Sequence, residues 1–185
     1  MESPILITPQ KFLQAFALTT AQVHDELTSL WFKSPLYTGV MRGVVLPRIA
    51  ATLGLQSWSK DYYYLDTVFY REKDMLHFPE HLTNVKYIEV ALEHENVLSG
   101  TAQEMNKLQL FNAPLKVLIT YDRKDSERTE YLKKYEAIIH SADIFGDIST
   151  TRRQLVIFGR KPTEKIEWSA YVYQNEGFTF EKLQA

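Results

Sequence analysis

The stretch Lys86–Tyr121 limits what this chain can fold into more than any other. Over Lys86–Glu95 the side chains alternate: Ile88, Val90 and Leu92 point one way, and Glu89, Ala91, Glu93 and Glu95 the other. That is the period of a strand with one apolar and one carboxylate-bearing face. Residues 96–100 turn the chain, and Thr101-Ala-Gln-Glu104 fits a capping box that opens a short helix. Met105 and Leu108 face inward from it, leaving Glu104 and Lys107 on the exposed or cleft side. Leu115–Tyr121 is apolar almost throughout, as expected for a central strand covered on both faces.

Glu93 and Glu95, two apart on the strand, lie about 6.5–7 Å apart on one face. Two carboxylates that close in a half-buried cleft repel each other and call for a cation. A divalent metal held by oxygen ligands is the simplest one. The plain alternative is a solvated strand end.

The flanking segments complete a mixed pattern. Thr8-Pro9 is a helix start, with Phe12, Leu13, Phe16 and Ala17 on one face. A second capping box at Thr19–Gln22 predicts a break near Thr19 and a new helix carrying Val23, Leu27, Leu30 and Trp31, stopped at Ser34-Pro35. A further helix is predicted over Val44–Leu53, with Pro47 in its first turn and Gly54 closing it. Tyr62–Tyr70, dense in aromatic and β-branched residues, is predicted to be a strand with Asp66 in its middle. Arg71–Asn84 is expected as a polar loop. Its His77 and His81 have zinc-like spacing, but Pro79 between them spoils the helix that a zinc pair would need. Ser126 is expected to cap a helix to about Ala142 with Leu132, Tyr135, Ile138 and Ile139 buried. Strands follow at Gln154–Arg160, Ile166–Tyr173 and, after an Asn175–Gly177 turn, Phe178–Glu181. The order predicts one α/β domain over 1–185, helical over 1–55 and sheet-forming over 62–175, with a mixed central sheet flanked by helices.

Composition excludes several functions. There is no cysteine, hence no disulfide or thiolate metal site. A formal net charge of −2 disfavours a protein that coats DNA through bulk charge, so contact with nucleic acid would need a local patch. Arg123-Lys124, Lys133-Lys134, Arg152-Arg153 and Arg160-Lys161 are the candidates. No signal-peptide pattern or membrane-spanning apolar run occurs, so a cytoplasmic protein without membrane contact is expected. Neither GxGxxG nor a P-loop is present, which disfavours a nucleotide-dependent small-molecule enzyme.

Asp66 on one strand, then Glu93-His94-Glu95 at the end of the next, then a helix and an apolar strand, resembles the PD-(D/E)XK nuclease superfamily. The resemblance spans about Thr19–Tyr121. It implies a restriction-endonuclease-like αβββαβ core in which Asp66 and Glu93 chelate Mg²⁺ (or Mn²⁺). Glu95 stands where that family usually has a lysine, which makes this an ExE variant, and Leu65 replaces the proline ahead of the first acid. In some branches the lysine migrates to the following helix, where Lys107 is the matching residue. The resemblance thus implies a metal-dependent hydrolase of phosphodiester bonds, with Asp66, Glu93 and Glu95 as metal ligands, Lys107 assisting, and nucleic acid, DNA by expectation, as substrate. Strong sequence recognition would require a homodimer or a partner chain. His94, on the opposite strand face, is expected in the core. The alternative is a non-catalytic interaction or regulatory protein on the same fold, using aromatics among Tyr62–Tyr64 and Tyr171–Tyr173 as a partner surface.

Overall fold

The computed structural model describes residues 6–31, 33–77, 83–143, 153–174 and 179–184. Pro79, His81, Arg152, the Asn175–Gly177 turn and Phe178 lie outside the described residues.

A mixed sheet carries the fold. β1 (Gln56–Trp58), β2 (Thr67–Tyr70) and β5 (Val90–His94) form an antiparallel meander. β6 (Leu115–Tyr121) and β7 (Arg153–Arg160) add parallel to β5, joined through α5 (Thr101–Gln109) and α6 (Asp125–Ala142). β8 (Glu167–Gln174) and β9 (Thr179–Leu183) complete a seven-stranded sheet in antiparallel fashion. β3 (Met75–His77) and β4 (Thr83–Val85) pair as a separate ribbon inside what the sequence suggested was a loop.

Each face of the sheet has its own core. On one, Val90, Leu92, Val117, Ile119, Leu155 and Ile157 pack against the N-terminal helices. On the other, Ala91, Leu118, Val156 and Phe158 meet Met105 and Leu108 of α5 and Tyr135 and Ile139 of α6. Period-two alternation therefore reaches a helical layer on both sides, which is why β6 and β7 have near-continuous apolar sequences. At roughly 1.5–3 kcal/mol per fully buried large apolar side chain, these two layers dominate the stability.

The helical half departs from expectation. α1 (Pro9–Gln22), capped by the Thr8 hydroxyl accepting from Lys11 N–H, runs past Thr19. Thr20 donates its hydroxyl back to Phe16 O instead of capping, and the break falls at Val23, before α2 (His24–Leu30). Ser34-Pro35 starts a helix as well as ending one. α3 (Ser34–Val40) leads through a π-helical turn, Met41–Val45, into α4 (Leu46–Thr52). Pro47 lacks an N–H, and the wide turn lies where the regular ladder would otherwise lose a bond. Gly54, at φ 71°, closes α4, with Leu55 N–H donating to Ala50 O and Gly54 N–H to Ala51 O, as a Schellman motif requires.

The expected strand Tyr62–Tyr70 is half as long. Asp61, Tyr63 and Tyr64 have positive φ, and Leu65 N–H closes a turn onto Tyr62 O. Side-chain contacts outweigh β-propensity here. The Tyr62 hydroxyl accepts from Val85 N–H at 3.0 Å, Tyr63 donates to Asn84 Oδ1 at 3.0 Å, and the Tyr62 ring packs edge-on against Trp58. Asp66 consequently precedes the strand rather than interrupting it.

Gly159 lies in β7 where two aromatic rings converge: a Cβ there would come 2.7 Å from Trp168 and 2.8 Å from Tyr121. Gly159→Ala should destabilise the fold by about 1–3 kcal/mol through overpacking. Gly39→Ala, on an exposed helix position where a Cβ meets nothing within 4 Å, should stabilise it by about 0.5–1 kcal/mol. Urea unfolding of both variants checks the pair.

Candidate functional site

The site begins with strand register. β2 and β5 pair antiparallel with Thr67 opposite Leu92 and Val68 opposite Ala91, so the next step out sets Asp66 against Glu93. Alternation puts both carboxylates on the face toward α5. The His94 N–H fixes the first acid by donating to Asp66 Oδ2 at 2.9 Å. Glu93 is 1% exposed.

Each acid has a cation. Arg42, carried by the π turn, pairs with Asp66 and reaches Asp61 at 3.4 Å. Lys107 Nζ lies 2.9 Å from Glu93 Oε1 and also pairs with Glu104, three residues earlier on α5. Burial, then the neighbouring Asp66, pushes the Glu93 carboxyl up to about 9, with Lys107 opposing. Burial also raises Asp66, against the pull of the His94 N–H and Arg42. Burial thus outweighs the neighbouring cations at both acids and raises each above the usual carboxylate range.

The remaining expected residues are distributed differently. β5 ends at His94, so the alternation stops before Glu95. The Glu95 carboxylate accepts from Val97 N–H at 2.7 Å and packs against Gly100, closing the turn into α5. The neighbour pair on the sheet is therefore Asp66 with Glu93, in place of Glu93 with Glu95. Among the described residues no three His, Asp or Glu side chains gather as a ready-made metal cage. A pair of carboxylates nonetheless suits Mg²⁺, which keeps several waters and takes one or two carboxylates plus substrate oxygens. Asp66 and Glu93 are the hard-oxygen donors that could hold such an ion.

One residue, Arg42, escaped the sequence reading, and another, Glu104, has a different role from the expected one. Glu104 looks like half of a capping box, but Gly100 occupies the N-cap position. Thr101 donates its hydroxyl to Leu98 O and accepts from Tyr135, leaving Glu104 to bind Lys107. The Glu104/Lys107 spacing of three was the available indication. Arg42 had none, because only the π turn and the Tyr62–Leu65 turn bring it to Asp66. His94 lies where expected, in the core: its Nε2 is 2.7 Å from the Tyr121 hydroxyl, its ring stacks on Tyr37, and burial lowers it to about 3. It is neutral at physiological pH and unsuited to general-base work. Glu89 is a pairing residue, 2.5 Å from Arg71.

Beyond Glu95, a cleft of about 850 Å³ opens at the carboxyl ends of β5, β6 and β7, between Trp31, Tyr37 and Tyr131. Arg123, Arg160 and Lys161 line it, but Arg160 is committed to Asp122 at 2.7 Å and Asp125 at 2.7 Å. Of the other basic pairs, Lys134 is taken by Glu130 and Arg153 lies at the opposite end of the sheet. Among the described residues these basic pairs thus form no single stripe.

The chain has no match among protein-family models, curated proteins or solved structures. Among the described residues no helix is long and apolar enough to cross a membrane.

The raised Glu93 gives a signed pH effect. Between its unfolded value of 4.5 and its folded value of about 9, the native state holds a proton that the unfolded chain has released. Its contribution is full below the unfolded value and is lost as pH rises through the folded one. In metal-free buffer the unfolding free energy should therefore fall from about pH 5 to about pH 9. Glu93→Gln should remove that slope in denaturant titrations; an equal slope in both proteins would show that Glu93 ionises normally.

Proposed function

We propose that this chain is a metal-dependent nuclease of the restriction-endonuclease-like PD-(D/E)XK type, hydrolysing phosphodiester bonds in nucleic acid, with DNA the expected substrate. One observation carries the reading. Asp66 and Glu93 face each other across β2 and β5 beside a lysine from the next helix. The order of helix α4, the β1–β2–β5 meander with the β3–β4 ribbon inserted before β5, α5 and parallel β6 supports the reading, being compatible with an αβββαβ core.

Mg²⁺ or Mn²⁺ at Asp66 and Glu93 would polarise the phosphoryl oxygens and make a bound water nucleophilic near neutral pH. The chain's own residues do the rest. The His94 N–H orients Asp66, and burial of Glu93 keeps the site dry and the electrostatics strong. Lys107, on a rigid helix between Glu93 and Glu104, supplies a fixed ammonium where a migrated family lysine would act. Glu95 serves this site through the turn it closes, by setting the path from β5 into α5. The cysteine-free composition agrees with a cytoplasmic setting, and the scattered basic residues agree with a homodimer or partner chain completing the nucleic-acid surface.

A non-catalytic interaction role is the second reading, because Arg42 and Lys107 already pair with the two acids. Its partner surface would be Tyr63 and Tyr64, which are 61% and 85% exposed; Tyr62 and Tyr173 are buried and unavailable.

Cleavage assays with Mn²⁺ and Mg²⁺ on plasmid, duplex DNA, single-stranded DNA and RNA separate the two. Glu93→Gln and Asp66→Asn should each lose activity by about 10²–10³-fold or more while remaining folded by circular dichroism. Mn²⁺ at about 100 times its Kd should stabilise the wild type by about 2.7 kcal/mol and leave Glu93→Gln unmoved. No cleavage and no metal-dependent shift in the wild type would establish the interaction role instead.

A further inference from the structure

Arg42 is placed oddly for a structural ion pair. It sits on a π-helical turn, a geometry that costs hydrogen-bond quality and recurs at functional positions. Its guanidinium is divided between Asp66, which is largely buried, and Asp61, whose side chain is 74% exposed. Its Nε is buried and has no hydrogen-bond partner among the described residues. The side chain is 30% exposed, so the head group borders solvent. A planar fork of five donors that uses only part of its capacity, partly exposed to solvent beside two carboxylates, matches the recognition geometry of a phosphate.

Charge balance points the same way. Asp66, Glu93 and Glu104 carry three negative charges when ionised, against Arg42 and Lys107. Adding one divalent cation leaves a single positive charge, the complement of one phosphodiester. Asp66 cannot serve a guanidinium and a metal equally well, so cation binding loosens its hold on Arg42.

We propose that Arg42 is a phosphate-binding residue of this site, held by Asp66 in the cation-free protein and released to a nucleic-acid phosphate when a divalent cation takes Asp66. The inference rests on the nuclease reading and names the residue that couples metal occupancy to substrate binding. Arg42 is then a competitor of the metal without nucleic acid and a partner of it with nucleic acid.

The test uses the full chain with Ca²⁺ in place of Mg²⁺, so that binding is read without cleavage. Calorimetry of Ca²⁺ alone should show Arg42→Gln binding several-fold tighter than wild type, because the competing cation is gone. Fluorescence anisotropy with labelled duplex DNA, single-stranded DNA and RNA in Ca²⁺ should show Arg42→Gln about 10-fold or more weaker on whichever probe the wild type binds. Arg42→Lys, which keeps the charge without the fork, should fall between. A purely structural Arg42 would shift melting temperature but not move the two affinities in opposite directions. If wild type binds Ca²⁺ and nucleic acid and Arg42→Gln matches it in both, the Arg42 assignment is overturned and the nuclease reading stands. If wild type binds neither Ca²⁺ nor any of the probes, both are overturned.

Discussion

Two carboxylates removed from water side by side are the constraint around which this structure is arranged. Neither Asp66 nor Glu93 would be stable there alone, since burying a charge without compensation costs several kcal/mol. The compensation comes from three separate pieces of chain: the backbone of β5 through the His94 N–H, α5 through Lys107, and the helical N-terminal part through Arg42. Even so, Glu93 keeps its proton into alkaline pH. That residual imbalance is what distinguishes the pair from an ordinary buried salt bridge, where attraction and desolvation come closer to cancelling.

The sheet supplies the rigidity such a pair needs. β5 joins the antiparallel β1–β2 pair to the parallel β6 and β7, and it is buried on both faces. Its alternation sends Glu93 toward α5 and His94 toward Tyr37 and Tyr121, so adjacent residues serve different layers. Asn96, just beyond, donates to Thr38 Oγ1 at 2.7 Å and to Ser34 Oγ at 3.1 Å. The turn that follows the site is thereby tied to α3, the helix that leads into the π turn bearing Arg42. The positions of the acidic and basic partners are linked through one short segment.

How much of this was legible depended on how local its cause was. The second half of the chain follows its own periodicity: Leu115–Tyr121 is the strand the sequence indicated, and of the expected α6 stripe Tyr135 and Ile139 are buried while Leu132 and Ile138 are half-buried. Asp66 and Glu93 were identifiable as acids in or beside strands, where propensity gives no reason for them. The misplacements share one origin, the replacement of a local preference by a remote partner. Tyr62–Leu65 left the strand because Tyr62 and Tyr63 bond to the β3–β4 ribbon about twenty residues away in sequence. Thr19 stays inside α1 instead of capping a new helix, and Glu104 left its capping box for a lysine. The strand ended one residue early, and that single step sent Glu95 to Val97 rather than into the site. Arg42 could not be foreseen, because its proximity to Asp66 exists only after two irregular turns have formed.

The Tyr62 hydroxyl joins the left-handed turn before Asp66 to Val85 on the ribbon, and it does so outside the main sheet. Glu93 is inside the hydrogen-bonded ladder and Asp66 is one residue beyond its end. The two acids therefore belong to regions of unequal protection: the backbone of one opens only with the sheet, while the other stands outside the ladder and is kept in place by the His94 N–H and Arg42. Local opening of the turn that carries Asp66 is accordingly a lesser event than opening of β5.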